Sequence, residues 1–196
     1  MTKIKMCGLR RAEDIEYVNI LRPDYIGYVF AKKSRRYVTP EKAQELTKLL
    51  REDITPVGVF VDEPIENVIA LVESGAIRMV QLHGSESEDY AAELKGRGIP
   101  VIRAFKVSSE ADIAAARSTC ADYVLLDSGS GSGETFDWSL IKNVGRDFFL
   151  AGGLTADNAA EAVEKLRPYG VDASSCLETD DFKDFEKMKA FAEAVR

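Results

Sequence analysis

The stretch DFFLAGGLTADNAAEAVEKLRPYGVDASS (147–175) contains a whole structural unit. Residues 147–151 are apolar and aromatic after the opening Asp147, as in a buried strand. Gly152 and Gly153 break it. Thr155 then stands as a helix cap before a run whose apolar residues recur at helical spacing, and Pro168 and Gly170 end that run. Residues 170–174 read as another strand. A strand followed by a helix and a further strand is the repeating piece of a parallel sheet. The same alternation fills the rest of the chain. Further strands are expected at Lys3–Cys7, Asp24–Phe30, Pro56–Val61, Arg78–His83, Pro100–Phe105 and Asp122–Asp127. Helical runs lie between them, among them TPEKAQELTKLLRE, with Pro40 at the first helical position behind Thr39, and EPIENVIALVESG, which stops at Gly75. Eight such units predict one compact (β/α)8 barrel domain over residues 1–196, an α/β fold of TIM-barrel type. The chain is short against the roughly 250 residues usual for that fold, so some helices must be short. The fifth (Ser109–Arg117) and sixth (Trp138–Asn143) look weakest. An open doubly wound sheet is the competing fold, but it usually has a glycine fingerprint after its first strand. Here Gly8 stands alone.

Bulk composition narrows the functional classes. The 196 residues carry 26 Lys and Arg against 33 Asp and Glu, a net charge of -7. No block of like charge stands out, which argues against a nucleic-acid partner. An anionic small ligand would need local donors that override the global field. No apolar run approaches the ~20 residues of a membrane span, and Lys3 and Lys5 interrupt any signal-like opening. Three cysteines without paired spacing and one histidine argue against a disulfide framework and a zinc site. A cytoplasmic protein without a metal is expected.

In a barrel of this kind the active site forms at the C-terminal ends of the strands. Cys7, His83, Asp127, Gly152, Gly153, Ser174 and Ser175 all fall there. Phosphate often binds between the loops after strands seven and eight, on backbone N–H groups and a helix N-terminus. AGGLT (151–155) and DASSC (172–176) are those loops. Asp127 ends the apolar strand YVLLD, where apolar walls favour a protonated carboxyl able to act as a general acid. A helix cap or loop ion pair is the plainer reading. SGSGSGETFDW (128–138) reads either as a lid over the mouth or as a flexible linker. AKKSRRYV (31–38) carries Lys32, Lys33, Arg35 and Arg36, and an inward Arg would grip a carboxylate. Cys7 is either an accessible thiolate or a small buried hydrophobe. His83 reads first as a mouth residue.

KMCGL (5–9), GYVF (27–30), SRRYV (34–38), VGVFV (57–61), QLHG (81–84), LLDS with TFDW (125–128, 135–138), AGGL (151–154) and GVDASS (170–175) occur in order. Together they closely resemble the N-(5'-phosphoribosyl)anthranilate isomerases of tryptophan biosynthesis, over almost the whole chain. The resemblance implies a (β/α)8 enzyme without a cofactor, acting on a small phosphorylated substrate as a monomer or homodimer. Its reaction would be the Amadori rearrangement of phosphoribosylanthranilate to 1-(2-carboxyphenylamino)-1-deoxyribulose 5-phosphate. It implies Cys7 as general base, Asp127 as general acid and Arg36 on the anthranilate carboxylate. Gly152, Gly153, Leu154, Ser174 and Ser175 would hold the phosphate, and Asp172 and His83 would complete the substrate pocket. Two features depart from the family pattern. Cys176 stands where a glycine is usual, and the lid segment is longer in glycine and serine. Strands one and eight adjoin in a closed barrel, so Cys7 and Cys176 are a candidate pair under oxidation. Two rivals remain: another phosphosugar isomerase or lyase on the same barrel, and a binding module without turnover.

Overall fold

The computed structural model describes residues 1–127, 138–141 and 144–196. Eight parallel strands close into a barrel in sequence order. They are β1 (Lys3–Cys7), β2 (Tyr25–Val29), β3 (Thr55–Phe60), β4 (Met79–Leu82), β5 (Val101–Lys106), β6 (Tyr123–Asp127), β7 (Phe148–Leu150) and β8 (Gly170–Ala173). The ring closes between β1 and β8, where Lys5 lies opposite Asp172. On the other side of β1, Cys7 lies opposite Gly27 of β2.

Helices pack outside. They are α1 (Ala12–Leu21), α2 (Pro40–Leu49), α3 (Ile65–Glu73), α4 (Glu88–Gly96), α5 (Glu110–Ser118), α6 (Ala156–Leu166) and α7 (Phe185–Val195). Local chemistry fixes their starts. The Thr39 hydroxyl accepts from Lys42 N–H at the head of α2, and Asn158 Oδ1 accepts from Thr155 N–H at 2.8 Å at the head of α6. The weak fifth helix forms over Glu110–Ser118. The sixth does not form as expected: a single 3-10 turn, Trp138–Leu140, stands there, and residues 142–143 lie outside the described residues. So do residues 128–137, nearly all of the expected lid.

Two apolar layers hold the barrel. Strand residues such as Ile4 and Met6 join the helices in the outer layer. The interior is filled by Tyr25, Val57, Met79, Ile102, Leu125 and Phe149. At the N-terminal end Tyr25 and Phe149 meet edge to face at 5.4 Å, and the Tyr25 and Tyr169 hydroxyls share a hydrogen bond of 2.9 Å. Burying one such aromatic contributes about 1.5–3 kcal/mol. This plug leaves only the C-terminal mouth for chemistry. A hairpin of β9 (Glu178–Thr179) and β10 (Phe182–Lys183) follows β8 and folds against that mouth. Among the described residues, no helix is long and apolar enough to cross a membrane.

Candidate active site

A cavity of about 830 Å³ opens at the C-terminal ends of the strands. Every position expected for the site lines it: Cys7, Arg36, His83 and Asp127 from four segments, Gly152 to Leu154 after β7, and Asp172, Ser174 and Ser175 on and after β8. A smaller cavity of about 400 Å³, lined by Phe30, Phe60 and residues of α2 and α3, brings together none of them.

Cys7 is the last residue of β1 and only 7% exposed. Two glycines make its place. A Cβ on Gly27 would lie 2.5 Å from Cys7 Sγ, so the neighbouring strand must lack a side chain where the sulfur sits. Gly8 turns the chain at φ +85, and a Cβ there would run into Arg36 Cδ. Ser174 Oγ donates to Cys7 O at 3.0 Å, which ties the strand ends together. Burial pushes the Cys7 thiol above its ordinary pKa. The Lys5 ammonium pulls it down, Asp172 pushes it up, and Lys183 pulls it down again.

Lys5 is the side chain that sequence reading missed. It points inward with no exposure, and its Nζ lies 2.9 Å from Asp172 Oδ1. Burial alone would lower the Lys5 pKa, but Asp172 and Cys7 outweigh it. Burial raises Asp172, against the pull of Lys5. Asp172 therefore faces the barrel interior as half of an ion pair. Its negative charge suits a cation or hydroxyl rather than an anion.

Asp127 ends β6. His83, just beyond β4, approaches it with Nε2 at 3.7 Å from Asp127 Oδ2. The other ring nitrogen, Nδ1, lies 3.1 Å from Gln81 Nε2. The Gln81 amide thus fixes the ring, with its other edge towards Asp127. Gln81 was another residue not singled out from sequence. It is 1% exposed.

Arg36 turns inward as expected, yet it is held by the protein itself. Its Nε donates to Glu178 Oε1 at 2.6 Å and its Nη2 to Glu178 Oε2 at 2.7 Å. Glu178 also takes Lys183 Nζ at 2.7 Å. Burial alone would raise Glu178, but Arg36 and Lys183 hold its carboxyl below the ordinary value. Burial lowers Lys183, with Glu178 opposing. Neither Glu178 nor Lys183 has a sequence signal, because their hairpin has strands of two residues, too short for a period.

The loops after β7 and β8 complete the mouth. Gly152 and Gly153 adopt φ +82 and +66, which leaves their backbone open ahead of α6. Leu154 is buried beneath them. Ser174 and Ser175 open a 3-10 turn, Ser175–Leu177. Cys176 lies in that turn, packed against the core, and burial pushes its thiol up to about 11. Cys7, Cys120 and Cys176 are all free thiols. Among the described residues, no group of three or more His, Cys, Asp or Glu could hold a metal ion.

Comparison with known proteins agrees with this geometry. The family described as "N-(5'phosphoribosyl)anthranilate (PRA) isomerase" matches residues 4–194. An N-(5'-phosphoribosyl)anthranilate isomerase of Endomicrobium trichonymphae is 47% identical over 96% of this chain and 95% of its own. One from Caldanaerobacter subterraneus subsp. tengcongensis is 43% identical over 100% and 98%. The crystal structure of the Thermotoga maritima phosphoribosyl anthranilate isomerase superposes with a TM-score of 0.92 at 35% identity, covering 100% of this chain and 98% of that one. A phosphoribosyl anthranilate isomerase in complex with reduced 1-(o-carboxyphenylamino)-1-deoxyribulose 5-phosphate superposes with a TM-score of 0.90 at 35% identity, covering 100% and 98%. The fold, the site and these likenesses converge: the chain belongs to the N-(5'-phosphoribosyl)anthranilate isomerase family.

Proposed function

We propose a division of labour among these residues for the Amadori rearrangement that this isomerase performs in tryptophan biosynthesis. Asp127 protonates the ribosyl ring oxygen as the C1'–O bond breaks. The anilino nitrogen supplies the electron pair, and an iminium forms. The iminium acidifies C2'–H. The Cys7 thiolate takes that proton, the C–H electrons form C1'=C2', and nitrogen regains its lone pair. The enolamine then moves a proton from the C2' hydroxyl to C1', giving the ketone. No electrons enter or leave overall, so the chemistry asks for no redox group.

The observation that carries this reading is the placement of Cys7 and Asp127 on β1 and β6, facing one cavity that also receives both phosphate loops. A base and an acid on different sides of one sugar are what the two proton transfers require. Glu178 takes the Nε/Nη2 edge of Arg36, so a substrate carboxylate pairs with the Nη1/Nη2 edge. The phosphate, held on the Gly152–Gly153 backbone and at Ser174 and Ser175, supplies binding energy remote from the reacting bond. Three free thiols suit a reducing compartment such as the cytoplasm, and the whole chain acts as one barrel domain, alone or as a homodimer.

The test is turnover of phosphoribosylanthranilate, made in place from anthranilate and phosphoribosyl pyrophosphate and followed by loss of anthranilate-type fluorescence. The parent turns over. Cys7→Ala and Asp127→Asn each lose about 10²–10⁴-fold in kcat. Full activity in either variant overturns its assignment, and an inactive folded parent favours the binding module.

A further inference from the structure

Where β1 and β8 meet, a charge pair stands in the barrel interior. Along β1, Ile4 and Met6 face the helices, so strand alternation turns Lys5 and Cys7 to the inside together. Lys5 is fully buried, and its partner Asp172 stands directly opposite on β8 with Nζ and Oδ1 2.9 Å apart. The Cys7 thiol lies two residues further along the same inward face of β1, within electrostatic reach of that ammonium. A buried ion pair is a poor way to stabilise a core, because desolvation offsets its attraction and apolar side chains of similar size do as well. Tyr25, Val57, Met79, Ile102, Leu125 and Phe149 fill the rest of the same interior without charge. A charge pair at this place, beside a sulfur that lines the cavity, needs a reason beyond packing.

We propose that Lys5 is a positioning residue for the isomerisation: anchored by Asp172, its ammonium stabilises the thiolate form of the Cys7 sulfur at the cavity against the cost of burial. The inference rests on the reading of Cys7 as the base. Lys5 keeps its three protons throughout, and the proton leaving C2' goes to the sulfur.

The charged groups around Cys7 are few. Lys5 comes from its own strand and Asp172 from β8. Lys183 comes from the β9–β10 hairpin and Arg36 from the segment after β2. On its other side β2 offers only Gly27, without charge. Lys183 and Arg36 are both bound to Glu178, and Lys5 is the cation that shares the inward face of β1 with the sulfur. Burial and Asp172 favour the thiol. Without Lys5 they act against a weaker opposition, so the thiolate forms only at higher pH.

Two variants separate this role from a merely structural one. Lys5→Met leaves Asp172 buried without its partner and risks misfolding, so Lys5→Met/Asp172→Asn, which removes both charges, is made beside it. The first readout is the pH dependence of Cys7 alkylation by iodoacetamide, followed by mass spectrometry of the Cys7 peptide so that Cys120 and Cys176 do not interfere. The second is the pH profile of kcat. In Lys5→Met the proposal expects the alkylation midpoint to rise by about one unit or more, which is roughly tenfold less thiolate near neutral pH. In the double variant it should rise by less, since loss of Asp172 offsets part of the effect. The loss in kcat should shrink as pH rises. Lys5→Arg, which keeps the charge, should stay near the parent midpoint. An unchanged midpoint with a uniform fall in kcat overturns the proposal. Cys7→Ala with full turnover would overturn the base assignment instead, while the alkylation midpoint still reports on Lys5.

Discussion

Glu178 holds Arg36 by both carboxylate oxygens, at 2.6 and 2.7 Å. The two residues come from segments far apart in sequence, the stretch after β2 and the hairpin after β8, and they meet over the mouth of the barrel. Glu178 shares the same carboxylate with Lys183. It therefore fixes the direction of the guanidinium, which is proposed to receive the anthranilate carboxylate, while leaving one edge of it open.

Loss of that hold should weaken binding more than chemistry. Glu178→Gln keeps the shape and removes the charge. KM for phosphoribosylanthranilate is expected to rise about tenfold, with kcat changed less than about threefold, since an interaction present in both ground and transition states acts on KM. Steady-state kinetics with both constants resolved checks this. A fall in kcat at constant KM would contradict it.

The same residue sets a pH dependence of stability. The folded carboxyl of Glu178 lies below its ordinary value of 4.5. A depressed folded value means that the unfolded chain binds the proton first. The contribution is then present above the ordinary carboxylate range and is lost as pH falls through it towards the folded value. Thermal unfolding between about pH 7 and pH 3 should show a steeper loss of Tm in the parent than in Glu178→Gln. Parallel curves would remove Glu178 from the account of acid stability.

Gly27 offers a test of geometry without touching a reacting group. A Cβ there would lie 2.5 Å from Cys7 Sγ. Gly27→Ala must displace the sulfur or part the strands, at about 1–3 kcal/mol of stability. Because a displacement near 1 Å can lower a rate by ~10²-fold, kcat should fall by more than tenfold in a protein that still unfolds cooperatively. A Gly27→Ala protein as active as the parent would show that the thiol needs no fixed place.

How much of this was legible in the sequence follows from the period of each element. All eight barrel strands were readable, with ends displaced by a residue or so, because apolar runs bounded by glycine, proline and caps repeat along the chain. Cys7, Asp127 and the AGGL loop were found by position, since a barrel displays the ends of its strands. Lys5 was not, for a physical reason. A lysine in a strand normally marks the solvent face, but in a closed barrel both faces are buried, and the KIKMC alternation puts Lys5 on the Cys7 side. Gln81 was hidden in the same way inside β4. The hairpin that brings Glu178 and Lys183 to the site has no periodicity to read. In the segment expected as the sixth helix, six residues are too short for a stable period, and its described part winds as a 3-10 turn over Trp138–Leu140.

The central claim is that Asp127 opens the ring and Cys7 removes the C2' proton. Substrate carrying deuterium at C2' separates the two steps. In Cys7→Ala the proton removal becomes the slow step, so kcat should show a full primary isotope effect. In Asp127→Asn ring opening becomes slow, and the effect should fall close to one. The same isotope effect in both variants, or a large effect in Asp127→Asn with none in Cys7→Ala, would contradict the assignment.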